Sequence, residues 1–251
     1  MKAYVAGTCD TKGAELHFIK GLIEAAGIDT CLVDLSTGER AGGAVDAGAV
    51  DVSAAEVASH HPEGAGAVLV GDDRGRAVSA MADAFAHFVR TRGDIGGMIG
   101  AGGSGNTVLV ATGMRALALG LPKILVSTVA SGDVAPYVGP NDIAMVYSVA
   151  DVAGLNSITR AVLGNAAHAL AGMMRHQVPR AGAEKPAIGL TMFGVTTTCV
   201  DQLRALLEAE YDCLVFHATG TGGQSMEKLA ADGFVRGCID VTTTEVCDHL
   251  M

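Results

Sequence analysis

Short apolar runs alternate along the chain with stretches whose apolar residues recur every three or four positions, and glycine marks most of the joints. "AYVAG" (Ala3 to Gly7) reads as a strand, and "TCDTKGAELHFIKGLIEAAG" after it places Leu16, Ile19 and Ile23 on one helical face before Gly27 stops the helix. "TCLVDL" predicts a second strand ending at Asp34, after which residues 36 to 66 lose periodicity in a long excursion of Gly, Ala, Asp and Ser. "AVLVG" (Ala67 to Gly71) has the composition of a strand. From Asp73 the pattern turns helical, with Val78, Met81, Phe85, Phe88 and Val89 on one face up to Arg92. "GGMIG" predicts a buried strand, "GAGGSGNT" (Gly100 to Thr107) a loop, and "TVLVATGMRALALG" a helix closed by Gly120. "LPKILVST" and "IAMVYS" are further strands before the helix "SITRAVLGNAAHALAGMMRH".

Alternating strands and helices with short loops imply parallel strands joined by right-handed crossovers. The expected fold is α/β, with a doubly wound, mostly parallel, Rossmann-like sheet. "QVPRAGAEKP" (Gln177 to Pro186) is the best linker, with two prolines, charge and small residues. It separates a first, nucleotide-binding α/β subdomain at 1–178 from the start of a second at 179–251. There "AIGLTMFG", "CLVFHATGTGGQSMEKLAADG" and "GCIDVTTTE" supply only about three strands, too few for a complete doubly wound domain.

Composition narrows the function. The chain of 251 residues carries 34 glycines, no tryptophan and 4% aromatics, which suits tight strand–loop–helix packing better than a platform for stacking nucleic-acid bases. A net charge of −10 without any basic run argues against nucleic-acid or anionic-membrane partners and leaves a small molecule. The six cysteines form no C-x-x-C and no zinc-like spacing, so reduced, buried thiols are expected. His60-His61 before Pro62 reads as loop, and no metal site is expected. Neither a signal peptide nor a membrane-spanning run is visible, and the expected location is the cytoplasm.

The chemistry concentrates in "GAGGSGNT". G-x-G-x-x-G falls on Gly100, Gly102 and Gly105, and G-x-x-x-x-G-K-[ST] falls on Gly100, Gly105, Asn106 and Thr107, with Asn106 where a P-loop has its lysine. An NAD loop belongs in the first β–α turn with an acid about twenty residues on; here no acid lies between Gly105 and Asp133. The lost lysine likewise disfavours P-loop chemistry. What remains is an anion nest, in which backbone N–H groups and a helix N-terminus hold phosphate. Gly102, Gly103 and Gly105 permit the approach, and Ser104 and Thr107 add hydroxyls. "TCDTKG" contributes Asp10, Thr11 and Lys12, and Lys12 is the first candidate for the missing cation, ahead of Arg74 and Arg76. Each is weighed against an ordinary solvated role, the arginines against pairing with Asp72 and Asp73. Thr128, Ser131 and Asp133 either complete the site or cap a turn. In the second half, Cys199 stands at a helix entry, His217 at a strand end before Gly220, Gly222 and Gly223, and Glu245 beside Asp240 and Thr242 to Thr244.

Taken together, "GTCDTKGAEL", "DDRGRAV", "IGAGGSGNT", "GLPKILVSTVASGD", "YSVADVAGLNSITRAVLGN", "TMFGVTTTCV", "VFHATGTGGQSMEKLAADGF" and "IDVTTTEV" resemble the bacterial and plant family whose plant member is the tomato mosaic virus resistance protein, across essentially the whole chain. The resemblance implies two α/β subdomains, the second continuing beyond "TTTEV", and ATP held by glycine-rich loops. In the plant protein it implies binding to a viral replication protein. It places the nucleotide loop on Gly102 to Thr107, "DTKG" on Asp10 to Gly13 and "STVASG" on Ser127 to Gly132, with Asn106 departing from the small glycine expected there. ATP, with or without Mg2+, is thus the expected ligand. Three readings stay open: an ATP-binding protein, an enzyme using ATP in phosphoryl transfer or hydrolysis, and a non-catalytic sensor or scaffold for a small anion, forming a homo-oligomer through apolar, glycine-rich surfaces.

Overall fold

The computed structural model describes residues 1–38, 50–69, 73–176 and 185–250. It divides into two compact units, Met1–Val138 with Asp142–Gln177, and Val178–Met251 with Gly139–Asn141. The first unit runs β1 (Lys2–Gly7), α1 (Cys9–Ala25), β2 (Thr30–Asp34), α2 (Ala54–Ala58), α3 (Gly66–Leu69), α4 (Arg74–Arg90), β3 (Ile95–Gly102) and α5 (Ser104–Arg115). It continues with β4 (Lys123–Ser127), α6 (Ala135–Val138), β5 (Ala144–Tyr147) and α7 (Ser157–Arg175). The second runs β6 (Ala187–Met192), α8 (Thr197–Leu207), β7 (Asp212–His217), α9 (Thr221–Ala231), β8 (Val235–Ile239) and α10 (Thr244–Leu250).

All pairings in the first sheet are parallel, in the order β2-β1-β3-β4-β5. A parallel sheet carries helices on both faces, which is why its strands read as unbroken apolar runs. Along β1 the side chains alternate between two cores. Tyr4 and Ala6 join Met98 and Leu125 against Met81, Phe85 and Phe88 of α4 and Leu109, Val110 and Met114 of α5. Ala3 and Val5 join Ile99, Ile124 and Val126 against Leu16, Ile19 and Ile23 of α1 and Leu163, Ala167 and Leu170 of α7. The sheet is therefore wound on both sides, as the sequence pattern predicts. The second unit has its own parallel sheet, β7-β6-β8, around Ile188, Leu190 and Val200.

Two expectations need correction. Ala67 to Leu69, read as part of a strand, belongs to α3: a run of four apolar residues carries no period, and Val68 is buried in the α4-side core as a helical residue. Nor are all six thiols buried, since Cys199, Cys238 and Cys247 are exposed and Cys213 is half-buried, leaving only Cys9 and Cys31 in the interior. Most of the linker (177–184), much of the excursion (39–49) and Val70 to Asp72, including the end of "AVLVG", lie outside the described residues; inside the excursion α2 forms, capped by Ser53 Oγ on Glu56 N–H.

Candidate functional site

From β1 the chain steps outward to β2, then returns across β1 to lay down β3 on the other side. Loops leaving the carboxyl ends of β1 and β3 therefore diverge to opposite faces, and the crevice between them is where open α/β sheets bind ligands. These are the Thr8–Lys12 and Gly102–Thr107 segments, the two loops the sequence singles out.

Their helix N-termini differ. The first-turn N–H of Cys9 donates to Asp34 Oδ1 at 3.0 Å and that of Asp10 to Ser36 Oγ at 3.1 Å, so the end of β2 caps α1. Asp34 Oδ1 also receives Ser36 N–H at 2.9 Å and its hydroxyl at 2.5 Å. By contrast α5, twelve residues long, begins at Ser104 behind the N-cap Gly103, and among the described residues no side chain caps its first turn. Its first-turn N–H groups and the positive end of its dipole face the crevice.

Asn106 and Thr107 turn inward. Asn106 is 6% exposed; its Oδ1 accepts Thr8 N–H at 3.0 Å and its Nδ2 donates to Ala101 O at 2.7 Å, joining the ends of β1 and β3. Glycine at 7 and 102 makes the room: a Cβ on Gly102 would lie 2.8 Å from Asn106 Cβ, and one on Gly7 3.1 Å from its Oδ1. Thr107 Oγ1 bonds Gly103 O at 2.8 Å and Ser127 Oγ at 2.6 Å in the interior. What the loop presents outward is Ser104, exposed, with Gly103 and Gly105 half-buried and Thr128 alongside. A Cβ on Gly103 would sit 3.8 Å from Thr128 Oγ1.

The other candidates divide. Thr11 is exposed and its hydroxyl pairs with that of Thr8 at 2.8 Å. Asp10 Oδ1 is sequestered without a hydrogen-bond partner among the described residues. Lys12 Nζ donates to Val152 O, which holds the ammonium at the carboxyl end of the sheet on a neutral acceptor. Arg74 and Arg76 are exposed in the first turn of α4, where Asp73 caps Gly75 N–H at 2.8 Å and Arg76 N–H at 3.2 Å. Arg76 lines a different cavity, of about 520 Å³, with His61, Glu63 and Asp83. Asp133 Oδ1 caps α6 through Ala135 N–H at 3.0 Å, the turn-capping alternative, and Ser131 Oγ bonds Thr128 O at 3.4 Å. His60 packs edge-on against Phe88 and His61 accepts Glu63 N–H at 3.1 Å.

In the second unit the glycine loop holds the chain's own acid: Glu245 Oε1 accepts Gly220 N–H at 2.6 Å and Gly223 N–H at 3.2 Å. Thr191 Oγ1 donates to Asp240 Oδ1 at 2.5 Å and accepts Thr242 N–H at 2.9 Å, while the Thr196 and Thr242 hydroxyls pair at 2.6 Å. His217 lies edge-on to Phe193.

Sequence reasoning missed the rim of the first-unit crevice. Asp34 and Ser36 carried no motif, although an acid at a strand end was a usable signal. Beyond Thr128, a cavity of about 290 Å³ is lined by Tyr147, Ser148, Val149, Ala150 and Asp151. Val149 is the one non-glycine residue with positive φ among the described residues, at 65°. For a β-branched side chain this costs about 1–3 kcal/mol. Buried Ser148 holds the turn, its hydroxyl donating to Ala150 O at 2.6 Å.

Comparison with known sequences adds the family context. The profile described as "Uncharacterised protein family (UPF0261) N-terminal domain" matches residues 1–179, and its C-terminal counterpart matches 185–251. A UPF0261 protein of Mesorhizobium japonicum is 56% identical over 251 residues, all of this chain and 61% of that protein. One from Clostridium tetani is 43% identical over 254 aligned residues, 100% of this chain and 62% of its own length. The ToMV resistance protein Tm-1 of Solanum lycopersicum is 36% identical over 273 aligned residues, 100% of this chain and 36% of the tomato protein. The chain thus spans about three fifths of these bacterial relatives and a little over a third of the tomato one.

Proposed function

The chain belongs to the uncharacterised UPF0261 family, and from that premise we propose that its first unit binds ATP, with the phosphates over the N-terminus of α5. One observation carries the reading: of the two helices that start at the switch point, α1 has its first-turn N–H groups engaged by Asp34 and Ser36 from the end of β2, whereas α5 follows a glycine loop and, among the described residues, no side chain engages its first-turn N–H groups. Backbone N–H groups of Ser104 and Gly105 cradle the anion, glycine at 103 lets it approach, and Thr128 Oγ1 adds a donor. Lys12, bonded to a carbonyl rather than a carboxylate, supplies the cation beside the loop. This is the ligand that the family resemblance implies.

Binding without turnover is favoured over phosphoryl transfer. Of the three acids that could position magnesium or a nucleophile, Asp133 and Glu245 are spent on capping α6 and on the second glycine loop, which leaves Asp10 alone for that role. The test is calorimetric titration of the protein with ATP, ADP, NAD and inorganic phosphate, with and without Mg2+, alongside Gly103→Ala. That variant meets only Thr128 Oγ1, at 3.8 Å, so it folds. Its methyl group fills the space beside Thr128, and ATP affinity falls at least about tenfold, the loss of roughly one charge-assisted hydrogen bond. Absence of any adenine-nucleotide binding at millimolar concentration by the unaltered chain ends this reading.

A further inference from the structure

We propose that the base of the bound nucleotide lies over the carboxyl end of β5, where the ring of Tyr147 stacks on it and Val149 closes the other side. This rests on the ATP reading and specifies where its adenosine end goes.

A ligand whose phosphates sit at α5 extends along the row of strand ends in one of two directions. Toward β2 it meets Asp34 and Ser36, which are already engaged: Asp34 Oδ1 receives three hydrogen bonds from Cys9 and Ser36, and Ser36 Oγ caps Asp10. That end is closed by its own chain. Toward β5 it passes Thr128 and enters the cavity of about 290 Å³ that Thr128 itself lines together with Tyr147, Val149 and Asp151. Two strand spacings, about 10 Å, separate β3 from β5. A ribose with its phosphates spans that distance.

The walls suit a purine. Of the five strands only β5 ends in an aromatic residue, and Tyr147 is 44% exposed at the end of an edge strand, with its ring accessible. Val149 is 61% exposed and adopts a backbone conformation that a β-branched residue rarely takes, so its isopropyl group stands out from the sheet rather than packing into it. An aromatic face opposite an apolar edge, with the exposed Asp151 carboxylate as acceptor for a ribose hydroxyl or an exocyclic amine, is the chemistry of a nucleobase slot. The strain at Val149 is a cost the fold bears at a site that handles a ligand.

The experiment titrates ATP and inorganic tripolyphosphate into the unaltered chain, Tyr147→Ala and Tyr147→Phe. Tyr147→Ala is expected to weaken ATP about 5- to 150-fold, the range of losing one base–aromatic stack. Tyr147→Phe keeps the ring and restores ATP binding, and tripolyphosphate binds all three alike. Photolabelling with 8-azido-ATP is expected to mark residues 144–151. Unchanged ATP affinity in Tyr147→Ala, equal losses for ATP and tripolyphosphate, or labelling at 34–38 overturns the assignment while the ATP reading stands. An unaltered chain that binds no ATP fails one step earlier and overturns both.

Discussion

The side-chain oxygen of Asn106 accepts the backbone N–H of Thr8 at 3.0 Å, across 98 residues of chain. With the Nδ2 bond to Ala101 O, this turns the position of a P-loop lysine into a weld between the first and third strands. Asn106→Ala should cost about 1–3 kcal/mol, because it strands a polar group at each end. Asn106→Asp keeps the acceptor for Thr8 but sets a carboxylate against the Ala101 carbonyl, and should cost at least as much. Asn106→Lys restores the P-loop pattern on paper. The side chain is buried between Gly7 and Gly102, so the lysine should destabilise by roughly 3 kcal/mol and bring no gain in ATP affinity. Urea melts paired with calorimetry check both halves; a stable Asn106→Lys protein with tighter ATP binding would show that the position faces the phosphates after all.

Lys123 is buried, with its ammonium on Asp142 Oδ1 at 2.7 Å and on the carbonyls of Ala118 and Leu121, each at 2.9 Å. Burial pushes the Asp142 carboxyl up, but the bonds from Lys123 and from Gly120 N–H outweigh it and hold the group below its usual value. A carboxylate lowered in the folded state stabilises the fold above its unfolded pKa, about 3.9, and the contribution fades as pH falls through the folded value. Asp142→Asn should therefore cost about 1–2 kcal/mol at pH 7, reduced from the fully buried case because the aspartate side chain is 40% exposed. The difference from the unaltered chain should narrow at pH 3. Urea midpoints at both pH values measure it, and a gap independent of pH would assign the loss to packing.

The β–α order of the first unit was legible because both faces of its sheet are covered, which leaves continuous apolar runs between glycine joints. Gly102 to Gly105 could be placed between a strand and a helix for the same reason. The role of Asn106 could not be read, since it depends on the register that sets Ala6 opposite Gly100 and on two distant glycines that make space. Asp34 gave a local signal, an acid at a strand end, but its partners Cys9 and Ser36 are fixed only once β2 lies beside β1. Tyr147 and Val149 carry no motif; a positive φ at valine is a property of the folded turn. The strand reading failed at Ala67 to Leu69 because the composition of this run fits a strand and its length fits neither period.

Thiol reactivity should separate the cysteines by position. Burial, with the Asp34 carboxylate close by, pushes the Cys9 thiol up to about 12, and burial also raises Cys31. Cys199, Cys238 and Cys247 are exposed. In the native protein at pH 8, iodoacetamide should modify those three and spare Cys9 and Cys31 until denaturant is added, because the thiolate is the reacting species. Peptide mapping reads the pattern. Native labelling of Cys9 at a rate like that of Cys238 would mean that the end of β2 opens away from α1.

Two helical glycines should respond to alanine with opposite signs. Propensity alone favours alanine by about 1 kcal/mol at either site. Gly172 in α7 has nothing within 4 Å of an added Cβ, so Gly172→Ala should stabilise by up to about 1 kcal/mol. Gly113 in α5 differs, because its Cβ would fall 2.3 Å from Cδ1 and Cε1 of Phe85, a ring wholly buried in the α4-side core. α5 approaches α4 closely only because residue 113 has no side chain. Relieving the clash requires moving Phe85 or parting the two helices, and overpacking of this kind costs about 1–3 kcal/mol, more than the propensity gain. Gly113→Ala should lower the melting temperature, and pairing it with Phe85→Leu should recover part of the loss. If Gly113→Ala proves as stable as the unaltered chain, the α4–α5 interface has slack that this packing does not show.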